Sequence, residues 1–436
     1  MPYKKLTKDF LEKADVSIGD TIAIEKKDMS YKGILQDRVE DDADGYIVLK
    51  LDNEYNIGID IANAKIKLIA HEEKIKKEYK ELKLADSPNK PNISIMSTGG
   101  TISITNQRSG SQHPNFTAED LLRIYPELLN LANFKVKSLY TILSENIKIE
   151  HWIKAANAIF DEINNGAEGV VLSHGTDTIH YTSAALSFML KTPVPIVLTG
   201  AQKNPDRPST DAFVNLLNSV AAAKSDIAEV SVCMYSNLDD EYCSLHKGTK
   251  VRKMHTSRRD TLRSINSEAI AILKDGKVAN INPNISYTKR GVNKLKLSEN
   301  LESKVALIKS FPGISNELID YHIDKGYKGL LIEGTGLGHL PDYMLDSIRR
   351  AYEENIAVVM SSQCLYGKVN MNIYDTGRKL ASANVISGGD MTPETAYVKL
   401  CWALGQSEKL DEVEKIMTTN IAGELSEKSS LKHFLN

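Results

Sequence analysis

Two threonine-bearing turns carry the residues best suited to chemistry: Ser97-Thr98-Gly99-Gly100-Thr101 and His174-Gly175-Thr176-Asp177-Thr178. Each follows an apolar run of β type, Ile93-Ser94-Ile95-Met96 before the first and Val170-Val171-Leu172-Ser173 before the second. Parallel sheets bind ligands beyond the carboxyl ends of their strands, so the pattern predicts both turns on one pocket. Hydroxyls, a carboxylate and backbone N–H groups left open at Gly100 and Gly175 would then converge on a small polar substrate. Breaking an amide takes a nucleophile, a proton shuttle and donors for the developing oxyanion. Thr101, at a Gly-Gly turn where no β-carbon blocks approach, is the candidate nucleophile. Thr176 offers a second hydroxyl and a backbone N–H suited to an oxyanion, and Asp177 a partner for a substrate ammonium.

A threonine hydroxyl is a poor nucleophile until a base takes its proton. A lysine whose pKa is lowered by burial can serve, as can a carboxylate–lysine relay. Lysines for that role lie in Lys250-Val251-Arg252-Lys253-Met254-His255-Thr256-Ser257-Arg258-Arg259, which by composition reads as solvated basic surface. Composition alone does not select Lys253. His174 has no Ser-His-Asp setting, so a structural role is expected of it. Cys364 follows an apolar strand without a matched histidine and reads as an inert thiol. Glu333-Gly334-Thr335-Gly336-Leu337-Gly338 lacks the lysine of a phosphate loop and reads as a strand-end turn near a subunit interface.

These residues need a scaffold, and 436 residues imply two or three domains. With 42% hydrophobic and 25% charged residues the chain falls in the soluble globular class, and a net charge of −3 gives no broad basic field for nucleic acid. Neither a leader-like apolar segment nor a stretch of membrane-spanning length is present, and the four cysteines show no metal spacing, so reduced thiols in a cytoplasm are expected. Residues 1–75 carry short strands at turn-spaced intervals, predicting a small β-barrel, with residues 76–91 a charged linker. Its run Lys74 to Lys80 reads as a solvated helix, with contact to nucleic-acid phosphates the alternative. From Asn92 strands alternate with helical patterns, predicting an α/β fold of wound parallel sheets: a large domain over 92–290 and a smaller one over 300–436. Helices are expected from Thr117, with Asp120 in a capping arrangement, from His151 to Asn164, from Asn316 to Lys325 and from Asp342 to Glu353, with two more at the C-terminus. Residues Lys294 to Glu302 read as a connection.

The two turns, in this order and about 75 residues apart, resemble the paired signatures of the bacterial-type L-asparaginase/glutaminase family, over roughly residues 92–420. Ser144-Glu145-Asn146 resembles that family's substrate-binding turn, and Val251 to Thr256 its catalytic-lysine segment. The resemblance implies Thr101 as first nucleophile, Thr176, Asp177 and Lys253 as a second relay, and Ser144 and Glu145 as grips on the substrate's α-amino and α-carboxylate groups. It also implies a homodimer with active sites completed by a neighbour's C-terminal domain. One departure stands out: in Asn106-Gln107-Arg108-Ser109-Gly110, Gln107 occupies the place of the family's lid tyrosine. Glutamine can donate a hydrogen bond but cannot act as a phenol.

Within the family the chain is more similar to the archaeal glutamyl-tRNA(Gln) amidotransferase D subunits. The N-terminal β region, the run Leu172 to Thr182, the run Lys253 to Asp260, and Gly367-Lys368-Val369-Asn370-Met371-Asn372 carry this likeness. It implies a protein that frees ammonia from glutamine or asparagine for a partner, the amidotransferase E subunit, in a heterotetramer. The partner would bind ATP and Mg, hold the misacylated tRNA and convert Glu-tRNA(Gln) to Gln-tRNA(Gln); this chain would bind no cofactor or metal. The alternatives are a free-standing L-asparaginase with an accessory β-domain, and a binding module on a retired scaffold, against which the intact Thr101, Thr176, Asp177 and Lys253 argue.

Overall fold

A computed structural model describes residues 3–26, 29–36, 44–51, 56–71, 87–99, 105–106, 112–113, 122, 125–205, 209–238, 242–428 and 430–434. The chain divides into two compact units, the first built mainly from Met1–Lys83 and the second from Leu84–Ser103, Thr117–Pro205 and Ser209–Asn436.

In the first unit a helix, Lys5–Lys13, precedes five antiparallel strands: Thr21–Lys26, Met29–Leu35, Tyr46–Leu51, Asn56–Asp60 and Lys65–Ala70. The sheet runs in the order fourth, third, second, first, fifth, and among the described residues its two outer strands are not joined to each other. Ile22 and Ile24 are buried between partly exposed Thr21 and Ala23 and exposed Glu25, and meet Leu35, Ile47, Leu49 and Ile59 in one core, so a period of two decides which face is buried. The helix, which the barrel expectation did not contain, closes that core with Leu11. Its first-turn N–H groups at Leu6 and Thr7 donate to the Asp44 carboxylate at 3.0 Å each. The linker run and the Thr117–Asp120 helix start lie outside the described residues.

The second unit is the wound α/β fold the sequence predicts. An eight-stranded sheet runs Lys277–Ile281, Ala271–Lys274, Cys243–Lys247, Val230–Tyr235, Ile196–Thr199, Gly169–Ser173, Asn92–Ser97, Asn133–Ser138 in spatial order. The last five named are mutually parallel, and the first three add antiparallel. Continuous apolar runs such as Val230–Tyr235 are buried throughout, as strands covered on both faces must be. Helices Ile149–Asn164 and Ile179–Met189 join the sheet in a cluster around Trp152, Ile159, Leu172, Leu186 and Leu198.

A four-stranded parallel sheet follows: Val305–Lys309, Gly329–Gly334, Ala357–Ser362 and Ile386–Ser387. Its side chains part by alternation. Leu330, Ile332, Val358 and Met360 face helices Glu317–Asp324 and Leu345–Glu353, while Leu331, Ala357 and Val359 face helices Pro393–Gln406 and Leu410–Thr418. A further helix, Asp375–Ser382, was not legible as one, and the expected connection over Lys294 to Glu302 holds a short strand, Lys296–Leu297, paired with Leu190–Lys191.

Helix Pro393–Gln406 buries Lys399 completely; its Nζ lies 2.5 Å from Glu424 and donates to the carbonyls of Met417 and Thr419. Breaking such a pair from one side strands a buried charge, so Lys399→Met is expected to cost about 3–5 kcal/mol, read from urea unfolding; an unshifted midpoint would refute the pair's importance. Burial also lowers the pKa of three histidines from 6.5, His174 to about 4 and His180 and His246 to about 3. The unfolded chain takes up these protons at higher pH than the fold does. Stability is therefore intact above pH 6.5 and lost as pH falls towards those values, by about 1.4 kcal/mol per pH unit for each group. Unfolding midpoints measured across this range should fall with acidity, and less steeply in His246→Gln.

Candidate active site

Parallel register aligns the strand ends. Ser97 pairs with Ser138 and Ser173, and Ser173 with Thr199, so the turns that follow all leave the same edge of the sheet. Thr98 continues the first strand: its N–H and its hydroxyl each donate to the Ser173 carbonyl at 3.0 Å, which marks it as a structural turn residue. Gly99 follows with φ of +103°, and a β-carbon there would stand 2.5 Å from the Ile142 carbonyl oxygen. Gly100, Thr101 and Gln107 lie outside the described residues.

The second turn is fully laid out. Gly175 is pressed against Ser144, and a β-carbon would meet the Ser144 side chain at 2.6 Å. Ser144 is buried in a short 3-10 turn, Ser144–Asn146, and its carbonyl accepts from the Thr178 hydroxyl at 2.8 Å. Two of the predicted substrate-gripping elements are thus packed together. Glu145 is exposed, and among the described residues no hydrogen bond or ion pair ties it to Thr176, Asp177 or Lys253.

Lys253 ends the short strand Val251–Lys253, paired with Leu262–Ser264. Its Nζ donates to Thr176 Oγ1 at 3.0 Å and to Asp177 Oδ1 at 2.6 Å. The lysine side chain is 11% exposed and the aspartate 65%, so the pair stands at the rim of a site rather than in a core. Thr176 Oγ1 accepts a second bond from Gln202 Nε2 at 2.8 Å. With two N–H donors on its oxygen, the Thr176 hydroxyl hydrogen must point elsewhere. Once Lys253 is a neutral amine, its lone pair faces Oγ1 and can take that proton.

Gln202 is the residue that sequence reading missed. It sits just beyond the strand Ile196–Thr199, at the same sheet edge, and its backbone N–H donates to both oxygens of buried Asp211 at 3.0 Å. The signal was available: a third apolar run ending in Thr199-Gly200, followed within two residues by an amide side chain.

His174 is structural, as expected. Its Nδ1–H donates to the Gly175 carbonyl at 2.7 Å and its Nε2 accepts from the Thr182 hydroxyl at 2.8 Å, whose oxygen takes the indole N–H of Trp152 at 3.1 Å. Both ring nitrogens are engaged, and burial keeps the ring neutral. The basic run is not simple surface: Lys250 is buried on Asp390 at 2.6 Å, and Arg252 pairs with Glu394 at 3.0 Å. Of the four cysteines, Cys233, Cys243 and Cys401 are buried and Cys364 is exposed; none is in a disulfide. Among the described residues no cluster of metal-ligating side chains occurs, and no helix is long and apolar enough to cross a membrane.

Comparison with known proteins gives the family and the fold. Residues 92–286 match the family model described as "Asparaginase, N-terminal", 304–417 "Glutaminase/Asparaginase C-terminal domain", and 16–69 "GatD N-terminal domain". The chain is 61% identical to the D subunit of the glutamyl-tRNA(Gln) amidotransferase from Methanobrevibacter smithii, with all of both chains covered. It is 47% identical to that of Pyrococcus abyssi, over 96% of this chain and 97% of the relative. Among solved structures it is similar to the thermostable L-asparaginase from Thermococcus kodakarensis, with a TM-score of 0.70, 31% identity, and coverage of 77% of this chain and 100% of that one. L-asparaginase I from Vibrio cholerae gives 0.68 and 30%, over 77% and 99%. The chain therefore belongs to the family of glutamyl-tRNA(Gln) amidotransferase D subunits, built on the asparaginase fold.

Proposed function

We propose that this chain hydrolyses the side-chain amide of glutamine or asparagine and passes the ammonia to a partner, the amidotransferase E subunit, which converts Glu-tRNA(Gln) to Gln-tRNA(Gln). The observation that carries this reading is Lys253 Nζ held between Thr176 Oγ1 and Asp177 Oδ1 at the carboxyl edge of the parallel strands. In the proposed reaction the Thr101 hydroxyl attacks the amide carbon, and the tetrahedral intermediate expels the nitrogen, which leaves as ammonia after gaining a proton. Water then cleaves the threonyl ester to release the free acid and restore the hydroxyl. Thr176, Lys253 and Asp177 form the proton relay, with backbone N–H groups at Gly100 and Gly175 as oxyanion donors and Ser144 and Glu145 gripping the amino-acid end. ATP and Mg are assigned to the partner, and the chain to a homodimer within a cytoplasmic heterotetramer.

A second reading, a free-standing L-asparaginase with an accessory β-domain, draws on the structural match of 77% of this chain to the whole of the Thermococcus kodakarensis L-asparaginase. Assay of the purified chain separates the two. Weak amidase activity that rises with the E subunit and misacylated tRNA supports the first reading, and brisk partner-independent asparagine hydrolysis the second.

Thr101→Ala is expected to abolish glutamine-driven amidation in the assembled complex while leaving ammonia-driven amidation intact; retained glutamine use would remove Thr101 from the nucleophile's role. Lys253→Met is expected to lower glutamine-driven kcat by about 10²–10⁴-fold, the range of a lost acid–base group, again without loss of ammonia-driven turnover.

A further inference from the structure

Lys253 stands on a ribbon of two three-residue strands, which cannot hold its own geometry in water. Its position must therefore come from what the ribbon is tied to. Successive strand residues point to opposite faces, so Arg252 leaves the side away from Lys253. There Arg252 Nη2 donates to Glu394 Oε1 at 3.0 Å, and Glu394 lies in the first turn of helix Pro393–Gln406, beyond the second sheet. The same short stretch holds the preceding turn twice more. Asp390 takes Lys250, and the Thr395 hydroxyl donates to the Thr249 carbonyl at 3.0 Å.

Stability does not account for the Arg252–Glu394 pair. The Glu394 side chain is 6% exposed, and its second carboxylate oxygen has no hydrogen-bond partner among the described residues. A buried carboxylate satisfied on one side is destabilising or close to neutral, and an apolar pair of similar volume would pack as well. The electrostatics around Arg252 point instead to placement. Its cross-strand partner is Arg263, a like charge directly opposite, itself paired with Asp260. Glu394 is the carboxylate that draws Arg252 inward and keeps the strand end from swinging out, and with it the next residue, Lys253.

We propose that Arg252 and Glu394 are positioning residues: a carboxylate from the C-terminal lobe holds the Lys253 strand so that its amine meets Thr176 and Asp177. This rests on the amidohydrolase reading for its effect on rate, but not for its effect on geometry.

Glu394→Gln in the full chain, assembled with the E subunit, is expected to lower glutamine-driven kcat about 10–100-fold with KM changed less than about twofold, as displacement of a reacting group requires. The double variant Arg252→Met with Glu394→Leu refills the site with apolar side chains. It is expected to match the wild-type Tm while kcat stays low; recovery of both Tm and kcat would reduce the pair to packing and overturn the proposal. A crystal structure of Glu394→Gln supplies a readout independent of turnover. Lys253 Nζ is expected beyond hydrogen-bond reach of Thr176 Oγ1, and an unmoved lysine overturns the proposal. Should the wild-type complex release no ammonia from either amide, the amidohydrolase reading fails, and the position of Lys253 in that crystal still decides the coupling.

Discussion

The site depends on one close approach. Backbone at Gly175 lies against Ser144 with room for a hydrogen and nothing larger, and this contact joins the turns that follow two parallel strands, Gly169–Ser173 and Asn133–Ser138, across the strand Asn92–Ser97 between them. From it follow the buried Thr176, the Thr178 bond to the Ser144 carbonyl, and the arrival of Lys253 at hydroxyl distance. A β-carbon at Gly175 would force the turns apart by an amount larger than a hydrogen bond tolerates.

Around that contact, charge is distributed by depth. The Lys253–Asp177 pair stands at the rim, where solvent weakens the Coulomb attraction and protons can be exchanged. Lys250–Asp390 and Lys399–Glu424 are withdrawn from water, and their charged ends are shared with backbone carbonyls and N–H groups. The buried pairs fix segments; the rim pair sets Lys253 Nζ beside the Thr176 hydroxyl. The second α/β lobe is thus more than a neighbour of the site, since Asp390, Glu394 and Thr395 grip the segment that delivers the lysine.

The N-terminal unit obeys different rules. Its strands are antiparallel and half-buried, with one apolar face each, and its core is small enough to need the added helix Lys5–Lys13. Nothing in that core resembles the hydroxyl-rich strand ends of the second unit, where Ser97, Ser173 and Thr199 are buried at the edge that carries the turns.

Much was legible in order of residues alone. Apolar runs ending in Thr-Gly turns located the strand ends, and alternation of strand and helix patterns gave the wound sheet, because both arise from local periodicity and the needs of tight turns. The 317–324 and 345–353 helices fell where their patterns predicted, with Asp342–Met344 tightened into a 3-10 turn. Helix Asp375–Ser382 escaped because its few apolar residues are set among charged ones. Composition also could not single out Lys253 from Lys250, two cations three residues apart. The family resemblance selected Lys253, and the fold supplied the physical reason, burying Lys250 on Asp390 and placing Lys253 beside Thr176. Asp211 and Glu394 likewise became partners of the site only through packing. Sequence determined which residues stand at turns and strand ends, since those choices are made within a few residues of chain. Tertiary structure decided which charge meets which, because that depends on contacts between segments tens to more than a hundred residues apart.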